Sequence, residues 1–427
     1  MIKRVEGSMN KYTQKETMPA LIFEMKFVKL MIAYIRGKIK ASGYWRKGGP
    51  ISIKQVPFPK LVSEKWLIVK VVYCGICGSD MKELTLSGAR DNPIRSFISF
   101  PQILGHEAVG IIDQIGINVS KFKIGDRVAI NPWLPCAARG INPECSRCQS
   151  GDYTHCQNFQ KGNLPIGMHL GAIKGYGGFA SYIAVHESQC FLIPDGVTFE
   201  QAVLADPFAV AFHSILILHP SQESTILIYG LGVIGLLVVM VLRNLFNVKN
   251  ILAIGRYQFQ KDLALKLGAK YVFMSRGENL VKEIAHYLNV ETFSPSKGLL
   301  WTIDGVDGIV DTIASAETLE IGTKILTTQG KLVFLGVSTP KRYETTLHYF
   351  KELEIIGSNA FSLENFEGKR AHAFEFFMEF LELKKINPSI LITHKYPLKE
   401  YKNAFDILSN KSESSAVKVV FDFSNNE

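Results

Sequence analysis

Two short stretches of this 427-residue chain combine residue types that suit a catalytic metal. Gly75-Ile76-Cys77-Gly78-Ser79-Asp80 sets a thiol, a hydroxyl and a carboxylate close together, and Gly105-His106-Glu107 places an imidazole after a glycine. Zinc favours thiolate and imidazole donors, and a catalytic zinc keeps one position open for water or substrate. A third protein donor is needed, and Asp206, within Ala205-Asp206-Pro207-Phe208, is the candidate. Taken singly, Cys77 reads as a buried apolar thiol, His106 as a core histidine and Asp206 as a helix cap ahead of Pro207. All three bland readings at once require three coincidences, and a metal requires one cause.

Cys136, Cys145, Cys148 and Cys156 follow as C-x8-C-x2-C-x7-C among Pro135, Gly140, Pro143 and Gly151. Four thiolates in one polar loop suit a structural zinc with every coordination position filled, so this ion should pin a lobe over residues 131–160 and do no chemistry. Seven cysteines, an odd number with four clustered, favour metal over disulfides. Cys74 and Cys190 are expected to be packing thiols, and Trp133 either lines a pocket or packs beside Pro132 and Pro135.

A third motif concerns phosphate. Gly230-Leu231-Gly232-Val233-Ile234-Gly235 follows an apolar run that reads as a strand and opens one that reads as a helix. In that context G-x-G-x-x-G is a dinucleotide fingerprint: a tight turn, close backbone approach to a pyrophosphate, and close helix-strand packing. About twenty residues on, a carboxylate normally grips the adenosine ribose. This chain has Ile254-Gly255-Arg256 there, so Arg256, assisted by Lys261, is expected to take a 2′-phosphate and favour NADP(H) over NAD(H).

These residues need elements to position them. Short β-branched runs broken by Gly, Asn and Pro at 67–73 and 108–128 predict a loop-rich β domain. From Thr225 the pattern becomes βαβ: strands at 226–229 and 251–254, helices at 236–245 and 260–267, then strands at 308–312 and 331–336 around a helix at 317–327. Beyond Leu353 the texture is mixed again, ending in a strand at 417–423. The net charge is +9, but residues 1–50 hold eleven Lys or Arg against Glu6, Glu16 and Glu24 and carry +8 of it. Without a recognition motif this reads as a solvated arm, and nucleic-acid binding is not expected. The glycines interrupting the apolar run 226–242 argue against a membrane span, and the start of the chain lacks the apolar core of a signal peptide, so a cytoplasmic protein is expected.

The metal-type residues, the four-cysteine loop and the glycine-rich turn, in this order, resemble the zinc-dependent alcohol dehydrogenases of the medium-chain dehydrogenase/reductase superfamily. The resemblance runs from about residue 50 to the C-terminus. It implies an α/β protein with a GroES-like, β-rich catalytic domain and a doubly wound parallel-sheet Rossmann domain inserted into it. The expected division is an extension over 1–17, catalytic domain over 18–206 and 354–427, and Rossmann domain over 207–353. Cys77, His106 and Asp206 match the catalytic zinc ligands. Ser79 matches the hydroxyl that takes the alcohol proton, Asp80 the carboxylate that orients the histidine, and Glu107 a glutamate near the metal. The four loop cysteines match the structural-zinc set, although six extra residues separate Cys136 from Cys145. Lys82 stands where many members carry a proton-relaying histidine, and the basic segment through about Gly49 looks like an insertion.

The implied activity is hydride transfer between an alcohol (a secondary alcohol, polyol or sugar) and NADP(H), with a small-molecule alcohol or carbonyl as partner and a homodimer or homotetramer as assembly. Two rivals are a zinc-free quinone or enone reductase of the same superfamily and a non-catalytic, zinc-stabilised nucleotide sensor.

Overall fold

The run Trp66–Gly75, apolar at nearly every position, forms the central strand of a seven-stranded sheet in the computed structural model, which describes residues 16–87, 92–336 and 344–424. Glu107–Ile115 pairs along its length, Tyr182–His186 along its first half and Lys418–Asp422 at its last residues, all antiparallel. The far end of the chain therefore returns to the strand that leads into Cys77. The sequence reading placed a last strand at 417–423 without naming its partner.

A second, three-stranded sheet carries Thr17–Phe23 between Ile51–Pro57 and Gln102–Ile103. Thr17–Phe23 and Ile51–Pro57 pair in antiparallel register from Thr17 with Pro57 to Phe23 with Ile51. The basic segment between them is an excursion from this ribbon: a helix, Phe27–Ile39, then a short turn, Ala41–Tyr44.

The βαβ stretch folds into six parallel strands in the order Tyr271–Phe273, Asn250–Ile254, Thr225–Tyr229, Val306–Asp311, Leu326–Phe334, Glu354–Gly357. Numbered along the chain this is 3-2-1-4-5-6, the doubly wound order. Alternate residues of the first strand enter different apolar clusters, Ile226 and Ile228 on one face, Leu227 and Tyr229 on the other. Both faces are thus covered, as a parallel sheet requires. The sixth strand lies past residue 353, so the nucleotide-binding unit ends one strand later than expected. Glu354-Ile355-Ile356-Gly357 is too short to read as a sheet strand without its partner Leu326–Phe334.

Helix Ala205–Leu218 straddles the expected junction at 206/207 and is buried along most of its length. Phe208 packs on Phe377 and Phe212 on Phe380, so the helix Ala373–Glu382 and this helix share one aromatic core. Asp206, in its first turn, is held where the two folding units meet. No helix among the described residues is long and apolar enough to cross a membrane.

Candidate active site

Where strand Trp66–Gly75 runs out, the chain turns directly into the helix Gly78–Leu84, with Cys77 as the residue before its first turn. The Cys77 N–H donates to Asp80 Oδ2 at 2.8 Å. The other oxygen of Asp80 faces His106 Nδ1 at 3.7 Å. One buried carboxylate thus orients both the cysteine and the histidine, the outer support that metal ligands generally have. Burial opposes charge on His106, but Asp80 and Cys77 beside it outweigh this and hold its pKa well above the ordinary histidine value. Ser79 and Lys82 lie on the exposed side of the same short helix.

The donor atoms of Cys77, His106 and Glu107 lie within 4.8 Å of one another, and no such set among the described residues includes Asp206. The sequence reading made Asp206 the third donor and Glu107 an outer glutamate; the structure brings both carboxylates near His106, with Glu107 in the tighter set. Glu107 opens the strand that follows His106 and is paired with Gly75, two residues before Cys77. Asp206 belongs to a separate helix. It is near enough for His106, Glu107 and Lys418 to act on its charge, while burial raises its pKa to about 7.

Lys418 was not foreseen. It is fully buried, forms an ion pair with Glu107 and donates to the Ile76 carbonyl at 3.2 Å. A Cβ at Gly75 would lie 2.0 Å from Glu107 Oε2 and 2.7 Å from Lys418 Cε, so this pair exists only because position 75 has no side chain. The available signal was a lysine inside the apolar run Val417–Phe423. His169 was also missed. Its ring centroid is 5.1 Å from that of His106 and 5.6 Å from that of Trp133, and burial pushes its pKa down to about 3. A neutral imidazole therefore stands beside His106, and the Trp133 indole stands against that imidazole in turn.

Cys136, Cys145, Cys148 and Cys156 also bring their sulfurs within 4.8 Å of one another, all as free thiols. Cys136 takes its place despite the longer spacing. The intervening loop is held by Arg139, fully buried, whose guanidinium donates to the carbonyls of Leu134, Lys161, Leu164, Pro165 and Gly167. Backbone N–H groups of Cys145, Gln157 and Asn158 point at sulfurs of the cluster. Hydrogen bonding from the Cys148 thiol lowers the Cys156 pKa to about 5. Four sulfurs with N–H groups aimed at them fit a tetrahedral thiolate zinc. Cys74 and Cys190 are buried and belong to neither donor set, although Cys74 lies against the backbone of Glu107.

The glycine-rich turn sits at the sheet's switch point, between Thr225–Tyr229 and Val306–Asp311. A Cβ on Gly235 would strike the Gly230 carbonyl oxygen at 1.9 Å, whereas one on Gly232 would meet nothing within 4 Å. Gly235 is thus demanded by the fold. At Gly232 the open space lies at the amino end of helix Val233–Asn244, where a phosphate would approach. Thr312, another residue the sequence did not flag, bonds the carbonyls of Tyr229 and Gly230 and fixes the turn from the neighbouring strand. Past Ile254 and Gly255, Arg256 is exposed over the Tyr257 ring, and Lys261 is half-buried on helix Gln258–Leu267.

A doubly wound sheet with a phosphate turn, joined to a β domain holding one closed and one open metal-type cluster, defines a nicotinamide-dependent oxidoreductase that uses zinc. Residues 63–195 match the family model of the alcohol dehydrogenase GroES-like domain, and residues 233–376 that of the zinc-binding dehydrogenases. The sorbitol dehydrogenase of Bacillus subtilis is 28% identical over 86% of this chain and 94% of its own length. The (R,R)-butanediol dehydrogenase of Saccharomyces cerevisiae is 27% identical over 77% of this chain and 85% of its own. An Escherichia coli alcohol dehydrogenase solved with NADH superposes with a TM-score of 0.72 at 24% identity, covering 96% of this chain and 100% of that one. The chain belongs to the zinc-dependent alcohol dehydrogenases of the medium-chain dehydrogenase/reductase superfamily, and it is an oxidoreductase acting on alcohols.

Proposed function

We propose that this enzyme interconverts a secondary hydroxyl of a polyol or vicinal diol and the corresponding ketone, with NADP(H) as the favoured hydride carrier. The observation that carries this reading is the compact Cys77, His106 and Glu107 trio. Similarity to the sorbitol and butanediol dehydrogenases supports the substrate class. Zinc held by these donors would supply Lewis acidity, lowering the pKa of a bound alcohol so that hydride can leave to the nicotinamide.

The chain's own groups do the rest. Cys77 and His106 are the fixed donors, Glu107 is the third, and Asp206 is the alternate carboxylate carried on the neighbouring helix. Asp80 holds both fixed donors in place and Lys418 balances the charge of Glu107. Ser79 takes the hydroxyl proton and passes it outward, past Lys82, to solvent. Gly230, Gly232, Val233, Ile234 and Gly235 seat the pyrophosphate, and Gly255, Arg256 and Lys261 border the adenosine ribose. No carboxylate occupies the position that would repel a 2′-phosphate. The four-cysteine cluster holds a structural zinc. A cytoplasmic homodimer or homotetramer is part of the same reading.

The test is a panel of diols, polyols and ketones followed at the nicotinamide absorbance with NADP(H) and NAD(H) in parallel, with zinc measured on the same sample. We expect turnover of a vicinal diol, about two zinc ions per chain, and an Arg256→Ala KM about tenfold higher for NADP(H) but unchanged for NAD(H). A zinc-replete sample inert on every diol and polyol would end the substrate reading. An unchanged NADP(H) KM in Arg256→Ala would end the cofactor preference.

A further inference from the structure

The helix Phe27–Ile39 faces the wrong way for a soluble protein. Its inward side carries Leu30, packed against the core, and two small residues: Ala33 is fully buried, and a Cβ on Gly37 would lie 2.3 Å from the Tyr44 ring. That close approach seats the helix on the turn Ala41–Tyr44. The turn is anchored in its own right, because Trp45 is fully buried with its indole N–H on Asp406 Oδ1 at 2.8 Å, and Arg46 bonds the other oxygen. Most of the other large apolar residues are turned outward. Phe27, Val28, Met31, Ile35 and Ile39 share one stripe, with Phe27 77% and Ile39 85% exposed. A stripe of this kind ordinarily faces a core.

Charge identifies what covers it. Between Glu24 and Glu64 the chain has nine Lys or Arg and no Asp or Glu. Lys26, Lys29 and Lys54 converge on Glu24, and Arg46 pairs with Asp406. Arg36, Lys38, Lys40 and Lys47 are exposed without a carboxylate partner among the described residues, and Lys38 stands over the Tyr34 ring within the apolar stripe. Residues 1–15 add Lys3, Arg4, Lys11 and Lys15 against Glu6. A second copy of the helix laid on this face would oppose lysine with lysine.

We propose that this helix docks the enzyme peripherally on an anionic lipid bilayer, its apolar stripe entering the headgroup boundary and its cations meeting lipid phosphates and carboxylates. The sequence alone pointed to a solvated arm, because spacing cannot say which face of a helix is turned to the protein. The contact is a surface one and spans nothing.

Full-length enzyme would be sedimented with vesicles of phosphatidylcholine, with and without phosphatidylserine. We expect binding at least about tenfold stronger to the anionic vesicles and weakened by high salt. The variant Phe27→Ser/Ile35→Ser/Ile39→Ser should lose at least about tenfold in vesicle binding while keeping its dehydrogenase rate and thermal midpoint. Equal binding to both vesicle types, no binding to either, or a variant that binds as well as the parent would overturn the proposal. So would a larger parental assembly that the variant dissociates, which would make a second copy the occupant.

Discussion

The two metal-type clusters of this enzyme are both compact yet built on opposite plans. In the lobe, four like donors lie on one loop and face one another, so an ion there has no position left to offer. In the cleft, three unlike donors come from the end of one strand and the start of the next, and each is steadied by a group that is not itself a donor: Asp80 for Cys77 and His106, Lys418 for Glu107. The lesson is that reactivity follows the outer supports. A closed set needs only proximity, while an open set needs buried counter-charges to stay in place with one position unfilled.

Crossing the two clusters by mutation breaks or sharpens this contrast. The largest expected effect is on rate: His106→Ala should cost about a thousandfold in kcat/KM, with one zinc retained and the thermal midpoint nearly unchanged. Cys148→Ser should do the reverse, costing about 4 kcal/mol of stability in denaturant titrations. Wild-type-like melting in Cys148→Ser would remove the distinction between the clusters.

Lys418→Met leaves Glu107 buried without its cation and should destabilise the protein by about 3 kcal/mol. Adding Glu107→Gln should restore much of that stability and none of the activity. If the double variant is as unstable as the single one, Lys418 serves packing alone.

The smallest effect is a control far from both clusters. The ammonium groups of Lys29, Lys54 and Lys26 hold the Glu24 pKa down to about 2 from 4.5. Between those values the unfolded chain binds the extra proton, so this stabilisation is full above about pH 4.5 and is lost as pH falls toward 2. Glu24→Gln should raise the midpoint of acid unfolding by about half a pH unit, read by circular dichroism. An unmoved midpoint would mean that Glu24 titrates normally.

What the sequence disclosed follows the same division. Features that act over a few residues were legible: Cys77 to Asp80, His106 with Glu107, the four cysteines, and the turn from Gly230 to Gly235 all carry their spacing in the chain. Those that depend on distant segments were not. Lys418 reaches Glu107 only because the last strand returns beside Trp66–Gly75, and the approach of Asp206 to His106 depends on where a helix comes to rest. The strand Glu354–Gly357 escaped notice because only its neighbour in the sheet makes it one. The outward stripe on Phe27–Ile39 lies in the segment that the charge pattern presented only as a solvated arm.

Arg139 gives the lengthened spacer between Cys136 and Cys145 a purpose beyond reaching a ligand. Its one planar head grips carbonyls on both flanks, at Leu134 and from Lys161 to Gly167, and the chain reaches His169 two residues later. The spacer is therefore a tie-bar and not slack: one side chain fastens the outlying lobe to the segment that leads into His169.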